Sequence, residues 1–111
     1  MKYEMSKEDY FMFIDMLHEE MKALVIAKNT DYTAGGGPFA NFKASEGFGV
    51  DPLVGLSVRL GDKIQRLKSF CKTGDLAVKD EGAEDIFRDL IGYSWIALGM
   101  LEERKKNEAK V

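Results

Sequence analysis

Asp51-Pro52-Leu53-Val54-Gly55-Leu56-Ser57-Val58-Arg59-Leu60-Gly61-Asp62-Lys63-Ile64-Gln65-Arg66-Leu67 decides the fold class. Asp51 is a residue type that caps helices, and Pro52 stands at the first helical position, where its missing N–H costs nothing. Leu53, Leu56, Leu60, Ile64 and Leu67 then recur every three or four residues, the period of a helix and not of a strand. This helix should end near Lys72, with Gly74 as its stop.

The same periodicity extends both ways. Ser6 with Asp9 three residues later resembles a capping box, with Asp in place of the usual Glu. From there Ile14, Leu17, Met21, Leu24 and Val25 predict a first helix of about 20 residues, running to about Lys28. A third helix is expected from around Lys79–Glu81 to about Lys105. Its apolar surface would be Ile86, Leu90, Tyr93, Ile96, Ala97 and Met100, and a charged, fraying tail would follow over 106–111. No alternating segment competes. The expectation is one all-α domain over 1–111, with three long helices. Three helices do not readily close a four-helix bundle, so a partner chain or a short extra helix should complete it.

Composition sets further limits. The chain has 111 residues, 45% hydrophobic and 32% charged, a globular balance. No apolar run is long enough to span a bilayer, and the N-terminus lacks the apolar stretch of a signal peptide, so a cytoplasmic location without membrane association is expected. A net charge of −3 gives no pull toward duplex nucleic acid. One cysteine, Cys71, and one histidine, His18, exclude a disulfide framework and a Cys- or His-built zinc site within one chain. Any metal centre must use carboxylates, the ligands of Mg2+ or Mn2+.

The segment Asn29–Val50 reads as a 22-residue loop, long for a compact domain and therefore expected to carry function. It holds Gly35-Gly36-Gly37-Pro38, which is no P-loop, and four aromatics: Tyr32, Phe39, Phe42 and Phe48. Asn29, Asp31 and Asn41 suit the edge of a base, and Tyr32, Phe39 or Phe42 its face. The plainer alternative is that at least two of these aromatics plug the open end of the bundle.

Three charge patterns stand out. Glu81, Asp85 and Asp89 are spaced four apart on the third helix, a self-repelling stripe that a divalent cation would neutralise. The alternative is a solvated face near a helix N-terminus. Glu19, one turn after Asp15 on the first helix, could complete such a site from the opposite side. On the second helix Arg59, Asp62, Lys63 and Arg66 have the spacing of a buried face, yet all are charged. Residues 51–72 carry five basic and two acidic side chains, whereas 75–89 carry six acidic and two basic. Interhelical salt bridging explains that division, and so does a site for a metal–triphosphate complex.

Lys28-Asn29-Thr30-Asp31-Tyr32, Arg59-Leu60-Gly61-Asp62-Lys63-Ile64-Gln65-Arg66-Leu67 and Glu81-Gly82-Ala83-Glu84-Asp85-Ile86-Phe87-Arg88-Asp89-Leu90-Ile91-Gly92-Tyr93 follow one another in order. Together they resemble the nucleotide modification associated domain family of small phage proteins, which itself resembles the MazG-like all-α nucleoside triphosphate pyrophosphohydrolases. The resemblance covers residues 28–93. It implies a helical bundle completed by homo-oligomerisation, as a dimer or tetramer, and, for a phage protein, the host cytoplasm. It also implies a nucleotide ligand and Mg2+-dependent cleavage between the α- and β-phosphates.

Carried onto this chain, the resemblance matches Glu81 and Asp85 to the acidic pair that would hold the metal, with Asp89 continuing the motif; Glu19 would join them by its own helix spacing. On this reading Glu81, Asp85 and Lys63 would serve catalysis; the matched stretches put nucleotide contacts at Lys28, Asp31, Tyr32, Arg59, Asp62, Lys63 and Arg66, and the loop's own composition adds Asn41 and Phe42. One departure matters. The MazG-like Glu-Glu-x-x-Glu on the first helix is here Glu19-Glu20-Met21-Lys22-Ala23, without the third acid. That gap favours a second reading, a non-catalytic protein that sequesters a nucleotide or a cyclic oligonucleotide signal. A third is an oligomeric adaptor with no nucleotide at all.

Overall fold

The computed structural model describes residues 3–33, 36–73 and 82–110. These form four α-helices and a short 3-10 helix, with no strand among the described residues. Helix α1 spans Lys7–Thr33, α2 Ala40–Lys43, α3 Pro52–Thr73 and α4 Ala83–Ala109; the 3-10 turn Ala44–Phe48 follows α2 directly. The all-α class expected from the periodicity is what the chain adopts.

Two helix starts form as the sequence dictates. The Asp9 N–H donates to the Ser6 hydroxyl at 3.1 Å, capping α1. The Leu53 N–H donates to Asp51 Oδ1 at 2.8 Å, and Pro52 opens α3. Asp51 has a second partner, since its Oδ2 accepts from Arg104 at 3.0 Å. That ion pair ties the start of α3 to the last third of α4. Further along, Lys63 pairs with Asp89 at 2.9 Å. Rising numbers on α3 therefore meet falling numbers on α4, and the two helices form an antiparallel hairpin. Leu56 of α3 and Ile86 of α4 have no exposed surface.

The long loop is the main departure from the sequence reading. Helix α1 continues through Asn29–Thr33, since neither Gly nor Pro interrupts it before Gly35. Of the remaining segment, Ala40–Phe48 is helical. Gly49 ends it at φ 74°, a left-handed turn that a glycine adopts without strain. Phe42 is buried and Phe39 half-buried, so two of the four aromatics serve packing. The Phe39 ring lies where Gly99 leaves room: a Cβ on Gly99 would sit 2.9 Å from its Cζ. The Asn29 amide donates to the Pro38 carbonyl at 2.7 Å, holding the same segment to α1. At the other end, α4 runs to Ala109. Its Glu, Lys, Arg and Ala residues are strong helix formers.

Helix α1 meets the hairpin around Met21, which is buried, and Val25, whose Cγ2 would stand 3.8 Å from a Cβ on Gly92. His18 adds an edge-on contact with Trp95, ring centres 5.8 Å apart. Met21, Phe42, Leu56 and Ile86 complete the set of buried side chains among the described residues. That is a small core for a chain of this length.

Asp51 joins two roles that substitution separates. Asp51→Asn keeps a capping oxygen but loses the ion pair with Arg104, which is exposed to water, so stability should fall by less than about 1 kcal/mol. Asp51→Ala loses the cap as well and should cost about 1 kcal/mol more. Urea denaturation at one fixed protein concentration measures both values; equal losses would contradict the capping role.

Candidate functional site

A cavity of about 430 Å³ opens where α1, α2, α3 and α4 come together. That is within the range of about 300–1,000 Å³ of small-molecule sites. Its apolar lining comes from Met21, Leu24 and Val25 on α1 and from Tyr93 and Ile96 on α4. Its polar lining is Lys28, Asn29, Asn41, Arg59, Arg88 and Asp89, three cations against one carboxylate.

Helix geometry explains the convergence. On α1, residues 21, 24, 25, 28 and 29 fall on one stripe at roughly 100° per residue. The stripe that forms the core thus runs straight into Lys28 and Asn29. On α4, Asp89, Gly92, Tyr93 and Ile96 form a similar stripe, and Asp85 lies on it one turn earlier. The acids of α4 therefore lead up to the cavity on the same side as its wall.

Each cation is held differently. The Arg59 guanidinium lies 4.9 Å from the centre of the Phe42 ring, a cation–π arrangement that fixes its plane at the cavity edge. Arg88 bonds Glu84 at 3.0 Å, one turn back on its own helix, and reaches Glu20 of α1 at 3.4 Å. The hydrogen bond it donates to Glu84 is the main influence that raises its pKa, with Glu20 adding to it. Lys63 is largely covered and pairs with Asp89 at the cavity wall. The same antiparallel register brings Arg66 on α3 level with Asp85 on α4, one turn further along.

The residues singled out from sequence divide clearly. Lys28, Asn41, Phe42, Arg59 and Asp89 line the cavity, and Lys63 touches it through Asp89. Phe42 is buried under Arg59 and so is not a free face for a base. Asp31, Asp62, Arg66 and Asp85 are exposed and do not line it. Glu19 is exposed too, roughly 150° around α1 from the cavity stripe at helical pitch. Tyr32 is in α1, but its side chain, like the whole of Glu81, lies outside the described residues. Among the described residues no three acidic, histidine or cysteine side chains gather as a metal cage.

Among the lining residues that the sequence reading does not assign to the site are Arg88, Gly92 and Tyr93. Arg88 had a signal, as the one arginine inside an acidic run and four residues after Glu84. Tyr93 was read only as part of the apolar surface of α4.

Compared with protein-family models, with curated proteins and with solved structures, the chain matches none. The cavity's chemistry must therefore be read from its own residues.

The Lys63–Asp89 pair should be worth more than a surface ion pair, because Lys63 retains only 16% of its side-chain exposure. A double-mutant cycle of Lys63→Met and Asp89→Leu should give a coupling of about 1–2 kcal/mol. A coupling below about 0.3 kcal/mol, the level of exposed pairs, would show that the pair does not hold the cavity wall.

Proposed function

We propose that this protein binds a nucleoside or deoxynucleoside triphosphate in the cavity and cleaves it to a monophosphate and pyrophosphate with Mg2+. The observation that carries this reading is the cavity's composition. It brings cations for phosphate oxygens and amides for a base edge to one apolar cleft, beside an acidic helix face. Lys28 and Arg59 would neutralise phosphate, and Arg59 presents a planar fork already oriented by Phe42. Asn29 and Asn41 offer donors and acceptors to a base, and Tyr93 offers a ring. Arg88 adds positive charge but shares it with Glu84 and Glu20.

The metal would be held by Asp85 and Asp89, with Glu81 preceding them on the same sequence spacing. Carboxylate oxygens are the donors that magnesium takes, and Asp85 and Asp89 lie on one face of α4. When bound, magnesium supplies positive charge against the phosphates and a coordinated water. Around it Lys63 would stabilise charge that develops on the phosphates, while Arg59 and Lys28 hold the chain of phosphates in place. The protein would act as a homo-oligomer in the cytoplasm.

A second reading has its own support. Asp89 is already neutralised by Lys63, and Glu19 is directed away from the cavity. Both observations, with the missing third acid on α1, favour sequestration of an intact nucleotide or cyclic oligonucleotide.

One experiment separates the two. The protein is incubated with a panel of ribo- and deoxynucleotides and cyclic dinucleotides, with Mg2+ or with EDTA. Chromatography then follows native and heat-denatured samples. The hydrolase reading expects pyrophosphate and a monophosphate with Mg2+ only, and at least about a hundred-fold loss of turnover in Asp85→Asn if it removes a metal ligand. Turnover unchanged in Asp85→Asn removes α4 from the chemistry. A nucleotide that leaves solution intact and returns on denaturation establishes sequestration.

A further inference from the structure

Arg88 faces two ways. Its side chain is part of the cavity lining, yet its partners among the described residues are two carboxylates outside that lining. Glu84 accepts from one terminal nitrogen at 3.0 Å, and Glu20 accepts from the other at 3.4 Å. A guanidinium carries five N–H donors, so capacity for a further anion remains. Arg88 is a cationic wall between the cleft and two acids in water.

The two bonds are unequal. Glu84 lies one turn before Arg88 on α4, so that contact is local and independent of α1. Glu20 reaches across from α1, and its separation exceeds the roughly 2.7–2.9 Å of a good charge-assisted bond. Its side chain is 61% exposed, and ion pairs in that setting are weak. A phosphate oxygen arriving at Arg88 from the cavity side would bring negative charge close to both acids. The repulsion falls hardest on the partner held least firmly, which is Glu20.

We propose that Glu20 occupies a phosphate-binding position on Arg88 and that an anionic ligand displaces it. This deepens the reading that the cavity takes a nucleoside triphosphate, and rests on it. Arg88 becomes a third phosphate contact beside Lys28 and Arg59, and Glu20 becomes its internal competitor. The exchange gives up one weak contact in water. It gains a charge-assisted bond against apolar walls, where such bonds are stronger. Glu84 stays in place and keeps the guanidinium oriented. The displaced Glu20 carboxylate is already in water, so its release needs no refolding. In the empty cavity the contact orients Arg88, and by competing it speeds the release of a bound anion.

Calorimetric titration with ribo- and deoxynucleoside triphosphates in EDTA tests the exchange. Glu20→Gln removes the competitor and should tighten binding about two- to fivefold, the span that an exposed ion pair is worth. Arg88→Met keeps an apolar stem but loses the charge, and should weaken binding. In that background Glu20→Gln should bring no gain. Asp15→Asn removes the same charge from an exposed position on α1 and should leave affinity unchanged. A contact that only tied α1 to α4 would act with the opposite sign, since its loss would loosen the cavity and weaken binding.

Arg59→Ala, in the same titrations, shows separately whether the triphosphate occupies the cavity. If it does, three results overturn the exchange alone: no gain in Glu20→Gln, a gain that persists with Arg88→Met, or an equal gain in Asp15→Asn. No binding of any triphosphate by the wild type overturns the exchange together with the reading beneath it.

Discussion

The antiparallel pairing of α3 with α4 is the constraint on which the rest depends. It is fixed at one end by Asp51, which caps α3 with one carboxylate oxygen and holds Arg104 with the other. Lys63 and Asp89 fix it 12 residues further along α3. Leu56 is buried on α3 between the two pairs, and Ile86 is buried on α4 beyond the Lys63–Asp89 pair. These two ion pairs make an interhelical seam: Lys63–Asp89 follows the division of charge noted in the sequence, and Asp51–Arg104 reverses it. The seam also serves the cavity, because the helix faces that pair are continuous with those that line it.

This arrangement unites two explanations that the sequence presented as rivals. Salt bridging and ligand binding are not exclusive here. Lys63 and Asp89 pair with each other at the cavity wall, while Arg59 is held by Phe42 and Lys28 stands at the cavity's edge. Opposite charges on neighbouring helices hold the scaffold, and Lys28, Arg59 and Arg88 bring positive charge to the cavity lining.

How much was legible in advance depended on whether a local rule governed the position. The caps at Ser6 and Asp51 and the apolar stripes of the long helices follow from spacing within a few residues, and they could be read directly. The segment 29–50 could not. Its aromatics satisfy no helical period, and its conformation is set by distant partners: Phe39 by the space over Gly99, Phe42 by Arg59, and Pro38 by Asn29. Glu19 shows the same limit from the other side. Its distance in sequence from Asp15 suited a metal ligand, but the stripe through Met21 and Val25 decided which side of α1 faces inward. Arg88 and Tyr93 escaped notice because each looked locally ordinary, a charge among charges and an apolar residue on an apolar face.

Among the described residues Met21, Phe42, Leu56 and Ile86 are buried while the first turns of α1 are exposed, and the cavity lies where those turns join the packed part of the molecule. If the cavity binds a nucleoside triphosphate through its rim cations, calorimetric titration of nucleoside triphosphates into the wild-type chain and into Arg59→Ala should show it. Saturable binding to the wild type and at least a tenfold weaker affinity in the variant are expected, since a charge-assisted contact contributes about 1.5–3 kcal/mol. Absence of binding by any triphosphate, or equal affinity in the two proteins, would contradict that reading.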